Sequence, residues 1–201
     1  MSSAPQIVLA SASPRRKELL TRIGLAIAVI PADIDETVLP DELPEAHVER
    51  LSLAKARAIA ARRDVDGRWF IGSDTVVVRD DVILGKPADA ADATVMLRSL
   101  AGRSHRVVSG YAVVDREQNR FEAAAIVTRV NFRELTDAEI AGYIATGEPA
   151  DKAGAYGIQG IGASLVRSID GSYTNVVGLP LCEVVETLER MGAATLFGPH
   201  L

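Results

Sequence analysis

Ser11, Ser13, Arg15, Arg16 and Lys17 follow directly on the apolar run Ile7-Val8-Leu9-Ala10. Ser13 is a good N-cap and Pro14 suits the first helical position, so the spacing predicts a helix opening straight off the end of a strand. Free backbone N–H groups and the positive end of the helix dipole then face the loop. Cations in a first turn oppose that dipole, and no acid appears before Glu18. Donors and arginines together at a helix N-terminus suit an external anion, most simply phosphate. A solvated basic turn is the other reading of the same residues.

Carboxylates and lysines stand at equally unusual places. Asp33, Asp35 and Glu36 form an acidic loop. Such acids are either solvated or serve as the hard oxygen ligands that Mg²⁺ takes alongside substrate phosphates. Asp74 interrupts the apolar strand pattern of Phe70-Ile71-Gly72-Ser73 and Thr75-Val76-Val77-Val78. Asp fits strands poorly and is rarely buried without a partner. It reads as a catalytic or metal-binding carboxylate, or as an acid satisfied by neighbouring backbone donors. Lys55 falls in the middle of an apolar helix face, where it must snorkel or meet a partner. Lys86 sits on the constrained turn Gly85-Lys86-Pro87. The run Asp151-Lys152-Ala153-Gly154-Ala155-Tyr156-Gly157-Ile158-Gln159-Gly160 has three glycines in seven residues. Those glycines permit close backbone approach to a ligand.

These residues need positioning elements. Residues 25–30 read as a second strand ended by Pro31. Residues 44–63 form the clearest helix, with Val48, Leu51, Ala58 and Ile59 on one face. Residues 68–78 and 82–84 read as a hairpin turning at Arg79-Asp80-Asp81, and 89–100 as a helix. Long strands are expected at about 103–115 and 121–133. Thr136 and Glu139 make a capping-box pattern for a short helix to about Ala145. A strand is expected at 161–169, a polar loop at 170–175, and a last helix opened by Pro180 and running to about Met191.

With 201 residues, 48% apolar and 24% charged, the chain can build a sizeable core as one domain or two lobes. Its net charge of −5 argues against nucleic acid as a partner. Cys182 is the one cysteine and reads as a small core residue, so no disulfide framework is expected. His47, His105 and His200 are scattered and offer no Cys/His metal cluster. Neither a leader segment nor a membrane span is evident, and a cytoplasmic protein is expected. A Walker-type loop, a Gly-x-Gly-x-x-Gly loop after a strand and a Ser-His-Asp constellation are all missing from the pattern. Cations for several phosphates, with carboxylates for metal and base, point to a nucleoside triphosphate or a similar ester.

The combination resembles the Maf family of nucleotide pyrophosphatases, also called septum-formation proteins. The resemblance covers nearly the whole chain. It rests on Ser11-Ala12-Ser13-Pro14-Arg15-Arg16, Asp35-Glu36, Leu53-Ala54-Lys55-Ala56 and Gly72-Ser73-Asp74-Thr75-Val76-Val77. It continues through Gly85-Lys86-Pro87, the glycine-rich run 151–160, and Asn175-Val176-Val177-Gly178-Leu179-Pro180. Each motif alone is weak; all of them in this order are highly specific.

The resemblance implies a single domain over 1–201, an α/β fold in two lobes on a strongly bent mixed sheet flanked by helices, with the substrate in the cleft between lobes. It implies hydrolysis of a nucleoside triphosphate to the monophosphate and pyrophosphate, dependent on a divalent cation, Mg²⁺ or Mn²⁺. The Asp-Thr pair and the Gly-Ile-Gln-Gly run look like the branch acting on dTTP and UTP. Asp74 looks like the proton acceptor, and Arg15, Thr75 and Gln159 like the specificity positions. Ser73 stands where many of that branch carry Ala. On this reading Ser11, Ser13, Arg15 and Arg16 grip the triphosphate, and Glu36 and Asp74 hold the metal. Lys55 and Lys86 neutralise the leaving pyrophosphate. A homodimer is the oligomer the resemblance implies. Two other functions compete: a non-hydrolytic nucleotidyl transferase, and a nucleotide-binding regulator of cell division.

Overall fold

The computed structural model describes residues 6–197. Seven strands form one sheet: β1 (Ile7–Leu9), β2 (Ile27–Val29), β3 (Trp69–Arg79), β4 (Val82–Leu84), β5 (Ser104–Asp115), β6 (Arg120–Phe132) and β7 (Val166–Asp170). Six helices accompany it: α1 (Pro14–Arg22), α2 (Pro44–Ala60), α3 (Ala90–Leu100), α4 (Asp137–Ala145), α5 (Tyr173–Val177) and α6 (Leu181–Arg190). The strand order is β2-β1-β3-β5-β6-β7, with β4 beside β3. β1 pairs in parallel with both β2 and β3, while β3 with β4 and β6 with β7 are antiparallel. The fold is therefore α/β, a mixed open sheet flanked by helices, as expected. No described helix is long and apolar enough to cross a membrane.

Two compact units share the strands β3, β5 and β6. Unit 1 takes the described residues of 1–74, 109–126 and 178–201; unit 2 takes 75–108 and 127–177. One cluster of unit 1's core is Val8, Ala10, Ala56, Ile59, Val65, Phe70, Ala112 and Val114. Unit 2 closes over Leu97, Leu100, Val107, Val130, Phe132, Ile140, Tyr143, Tyr156 and their neighbours. Within it His105, Phe132 and Tyr156 meet edge to face, with ring centroids 4.6–5.3 Å apart.

Local signals set most element ends. Ser13 caps α1 by accepting from the Arg16 N–H, and Pro14 opens it. Thr136 and Glu139 complete the capping box of α4. Four expectations are corrected. Residues 160–165 form a 3₁₀ turn, and the strand is only Val166–Asp170. The reason is that the Ile161 and Gly162 N–H groups bond the Glu148 carboxylate instead of a sheet ladder. The polar stretch 170–175 runs into the short helix α5, begun at Tyr173. On α2 the buried face carries Ala56, while Ala58 is half-buried. Cys182 is exposed, not in the core: α6 buries Val184, Thr187 and Leu188, and Cys182 shares the outer face with Glu186.

Candidate active site

Unit 1 brings most of the candidate residues together, beginning with the contact between α2 and the sheet. A Cβ on Gly72 of β3 would lie 1.9 Å from the Ser52 carbonyl, and one on Gly110 of β5 2.2 Å from the Val48 carbonyl. Only glycine allows the helix backbone to come this close. Side chains alternate along a strand, so Asp74 shares Gly72's face toward α2. Lys55 lies three residues past Ser52 on the same helix face. The two therefore meet: Lys55 Nζ donates to Asp74 Oδ1 at 2.7 Å and stands 2.7 Å from Glu36 Oε1. Lys55 is 7% exposed. It does not snorkel; it bridges two carboxylates.

The acidic loop that supplies Glu36 is itself tied to α2. Arg50 Nη2 donates to the Thr37 carbonyl at 3.1 Å, and Thr37 N–H donates to Asp35 Oδ1 at 2.9 Å. Arg50 also grips both oxygens of Glu42, at 2.5 and 2.7 Å. His47 Nδ1 lies 2.9 Å from Glu42 Oε2. The Arg50 hydrogen bonds, helped by the Leu39 N–H and His47, hold the Glu42 carboxyl down at about 2. The sequence pattern singled out neither Glu42 nor Arg50, and it left His47 as one of three scattered histidines. The available signal was a histidine and an arginine one turn apart on a helix whose entry loop is acidic.

The loop before α1 is organised by its own side chains. Ser11 Oγ accepts from the Ser13 N–H at 3.2 Å and from Arg16 Nη1 at 3.0 Å. Arg16 Nε donates to the Gly178 carbonyl at 2.7 Å. Burial lowers the Arg16 guanidinium below its ordinary value; Asp74 opposes this, Arg15 adds to it and Glu36 opposes it. Arg16 therefore shares one electrostatic field with both carboxylates of the lysine bridge. Arg15 is half-buried beside it in sequence. The same Gly178 carbonyl accepts from Ser73 Oγ at 3.2 Å, and Ser73 Oγ also donates to the Gly110 carbonyl at 2.8 Å. Ser73 is fully buried, so its hydroxyl joins β3, β5 and the start of the Gly178 segment. That structural role for Gly178 carried no sequence signal.

Thr75, Lys86 and Gln159 belong to unit 2. Thr75 is half-buried and Lys86 is exposed. The turn carrying Lys86 is joined to the glycine-rich run, because the Gly154 N–H donates to the Gly85 carbonyl at 2.9 Å. Gln159 is half-buried just before the 3₁₀ turn 160–165. Around it the backbone is tied to two side chains the sequence did not single out, Tyr143 and Glu148.

His200 lies outside the described residues. Among the described residues no group of three or more His, Cys, Asp or Glu could hold a metal ion. A metal needing a closed protein cage finds none. Mg²⁺ has a different requirement: one or two carboxylates, with substrate phosphates and water completing the octahedron. Glu36 and Asp74 already share one cation, the Lys55 ammonium, at 2.7 Å each. Glu36 is more than half exposed and can adjust. This donor set fits a hard divalent cation brought with a phosphate ester.

The family model described as Maf-like protein matches residues 6–191. A relative from Syntrophotalea carbinolica named dTTP/UTP pyrophosphatase is 64% identical over 98% of this chain and 91% of that protein. Relatives of the same name from Geobacter sulfurreducens and Geobacter metallireducens are 57% and 55% identical. They cover 94% and 96% of this chain, and 97% and 100% of their own lengths.

Proposed function

The chain belongs to the Maf-like family, and from that premise we propose that it is a nucleoside triphosphate pyrophosphatase acting on dTTP and UTP. The products are the nucleoside monophosphate and pyrophosphate. The observation that carries the reaction class is the Glu36–Lys55–Asp74 bridge in one field with Arg16 at the start of α1. The base preference is supported by the names of the relatives.

The chemistry follows from charge. Water attacks the α-phosphorus, the bond to the bridging α–β oxygen breaks, and the electron pair leaves with pyrophosphate. Asp74 is the acceptor for the proton of the attacking water. Its position is fixed by the Lys55 hydrogen bond and by the strand that carries it. Lys55 opposes negative charge developing during bond cleavage, as does Lys86 in the role its motif implies. Ser11, Ser13, Arg15 and Arg16 hold the polyphosphate against the N–H groups opening α1. Glu36 and Asp74 would hold Mg²⁺ or Mn²⁺, which when bound offsets phosphate charge and makes water a better nucleophile. Thr75 and Gln159 take the nucleoside side, with Arg15 as the third specificity position. One domain over 1–201, cytoplasmic residence and a homodimer complete the proposal on the family resemblance; light scattering on the purified protein reads the oligomer.

The test is a panel of nucleoside triphosphates with Mg²⁺, reading pyrophosphate, monophosphate and single phosphate separately. Equal release of pyrophosphate and monophosphate, greatest for dTTP and UTP, is the expected outcome. Stepwise loss of single phosphates, transfer to an added acceptor, or binding without turnover would each overturn it.

A further inference from the structure

Gln159 presents a problem that its motif does not solve. Uracil and thymine offer N3–H as donor and O4 as acceptor; cytosine reverses both. One primary amide pairs with either pattern simply by turning over. Selectivity then requires the amide to be held in one pose. Yet the Gln159 side chain makes no hydrogen bond among the described residues, so what the protein fixes is the backbone from which the amide reaches and the main-chain groups around it.

That backbone is tied on both sides. Two residues before Gln159, the Gly157 N–H donates to Tyr143 Oη at 3.2 Å. Two and three residues after it, the Ile161 and Gly162 N–H groups donate to Glu148 Oε2 and Oε1, each at 2.9 Å. Tyr143 Oη donates to Glu148 Oε1 at 2.8 Å, so both ties end on one carboxylate. Hydrogen bonds to an ionised acceptor are roughly twice as strong as neutral ones. The loop also closes tightly on itself. A Cβ on Gly162 would lie 2.3 Å from the Gly157 carbonyl and 2.5 Å from Tyr143 Oη. One on Gly160 would lie 2.7 Å from Glu148 Oε2. Tyr143 is anchored in unit 2's core, 4% exposed, so the clamp is fixed to packed structure.

We propose that Glu148 and Tyr143 are positioning residues for base selection, holding the 157–162 loop so that Gln159 presents its amide in the pose that accepts uracil and thymine and rejects cytosine. The proposal rests on the reading of Gln159 as the base-recognising residue. Neither Glu148 nor Tyr143 touches the base. They act by holding the loop's main-chain N–H and C=O groups in one place, so that the Gln159 amide reaches the base from one direction and its two orientations, which interchange by rotation about the Cγ–Cδ bond, meet different fixed neighbours.

The test compares kcat/KM for UTP and CTP in wild type, Tyr143→Phe, Glu148→Gln, Gln159→Ala and the Tyr143→Phe/Gln159→Ala double variant. Tyr143→Phe removes the acceptor for the Gly157 N–H with little change of shape. Glu148→Gln leaves one acceptor oxygen for donors that now use two. The UTP/CTP ratio cancels the fraction of active protein, so partial unfolding does not imitate the effect. Loss of one such tie corresponds to a fall in the ratio of about three- to tenfold in Tyr143→Phe. That fall arises mainly from a raised KM for UTP, and it disappears in the Gln159→Ala background. If Gln159→Ala lowers the ratio while Tyr143→Phe and Glu148→Gln leave it unchanged, the clamp proposal is overturned and Gln159 stands alone. Additive effects in the double variant overturn the route through Gln159. A ratio unchanged by Gln159→Ala overturns the base reading and this proposal with it.

Discussion

The two units solve the problem of holding a polar group in opposite ways. In unit 1 the candidate chemistry is made of side chains that hold each other: Lys55 bridges Glu36 and Asp74, and Arg16 ties Ser11 to Gly178. Lys55 and Asp74 sit on elements fixed by close packing, α2 against Gly72 and Gly110, and Glu36 reaches them from a loop that Arg50 ties to α2. In unit 2 the candidate recognition residue is held through main chain. Glu148 and Tyr143 tie N–H groups on both sides of Gln159. The difference has a consequence for variants. Replacing one charge in unit 1 removes both a chemical group and its neighbour's partner, so rate should collapse. Replacing a tie in unit 2 leaves the reacting groups intact, so selectivity should change first.

Asp74→Asn is the strongest way to break this contrast. It keeps the side chain's shape but removes the proton acceptor and the charge that faces Lys55. Loss of a general base costs about 10²–10⁴ in rate, and kcat for UTP should fall within or beyond that range while circular dichroism is unchanged. A variant keeping more than about a tenth of kcat would place the chemistry elsewhere. Next in size is Glu36→Gln with a metal titration. Excess chelator should abolish wild-type activity and Mg²⁺ or Mn²⁺ should restore it. In the variant the half-saturating Mg²⁺ concentration should rise, because one of two carboxylates is gone, with kcat at saturating metal reduced less than in Asp74→Asn. An unchanged titration midpoint would remove Glu36 from the metal site.

The smallest effect at neutral pH comes from unit 2's core and is read as stability. His105 is buried against Tyr156 and Phe132, with Nε2 2.7 Å from Tyr156 Oη. Burial pushes its pKa from 6.5 to about 4. Below the unfolded value the unfolded chain binds a proton that the folded chain refuses. Stability is therefore lost as pH falls from 6.5 toward 4, by about 3 kcal/mol in all. Urea unfolding at several pH values in that window should show the loss, and His105→Gln should flatten it. Equal slopes in the two proteins would assign the acid sensitivity to other groups.

What the sequence made legible follows the same division. Asp74 stood out because an acid in an apolar strand needs a partner, and Lys55 because a lysine in an apolar helix face needs one. Each turned out to be the other's partner. The start of α1 and the α4 capping box were readable because a cap and its N–H lie within one turn. The long-range ties were not. Glu148 bonds N–H groups 13 and 14 residues away, beyond the reach of any local pattern. That same tie is why an expected strand from 161 became a 3₁₀ turn. Glu42, His47 and Arg50 form a cluster across a loop that periodicity cannot anticipate. Cys182 was misplaced because an apolar stretch on an amphipathic helix does not by itself say which face each residue takes.

If water attacks the α-phosphorus, its oxygen must end in the nucleoside monophosphate whichever group takes its proton. Hydrolysis of UTP in H₂¹⁸O, with mass spectrometry of both products, reads where that oxygen goes. One ¹⁸O atom should appear in UMP and none in pyrophosphate. Label in pyrophosphate, or in single phosphate, would show attack at another phosphorus and contradict the proposed reaction.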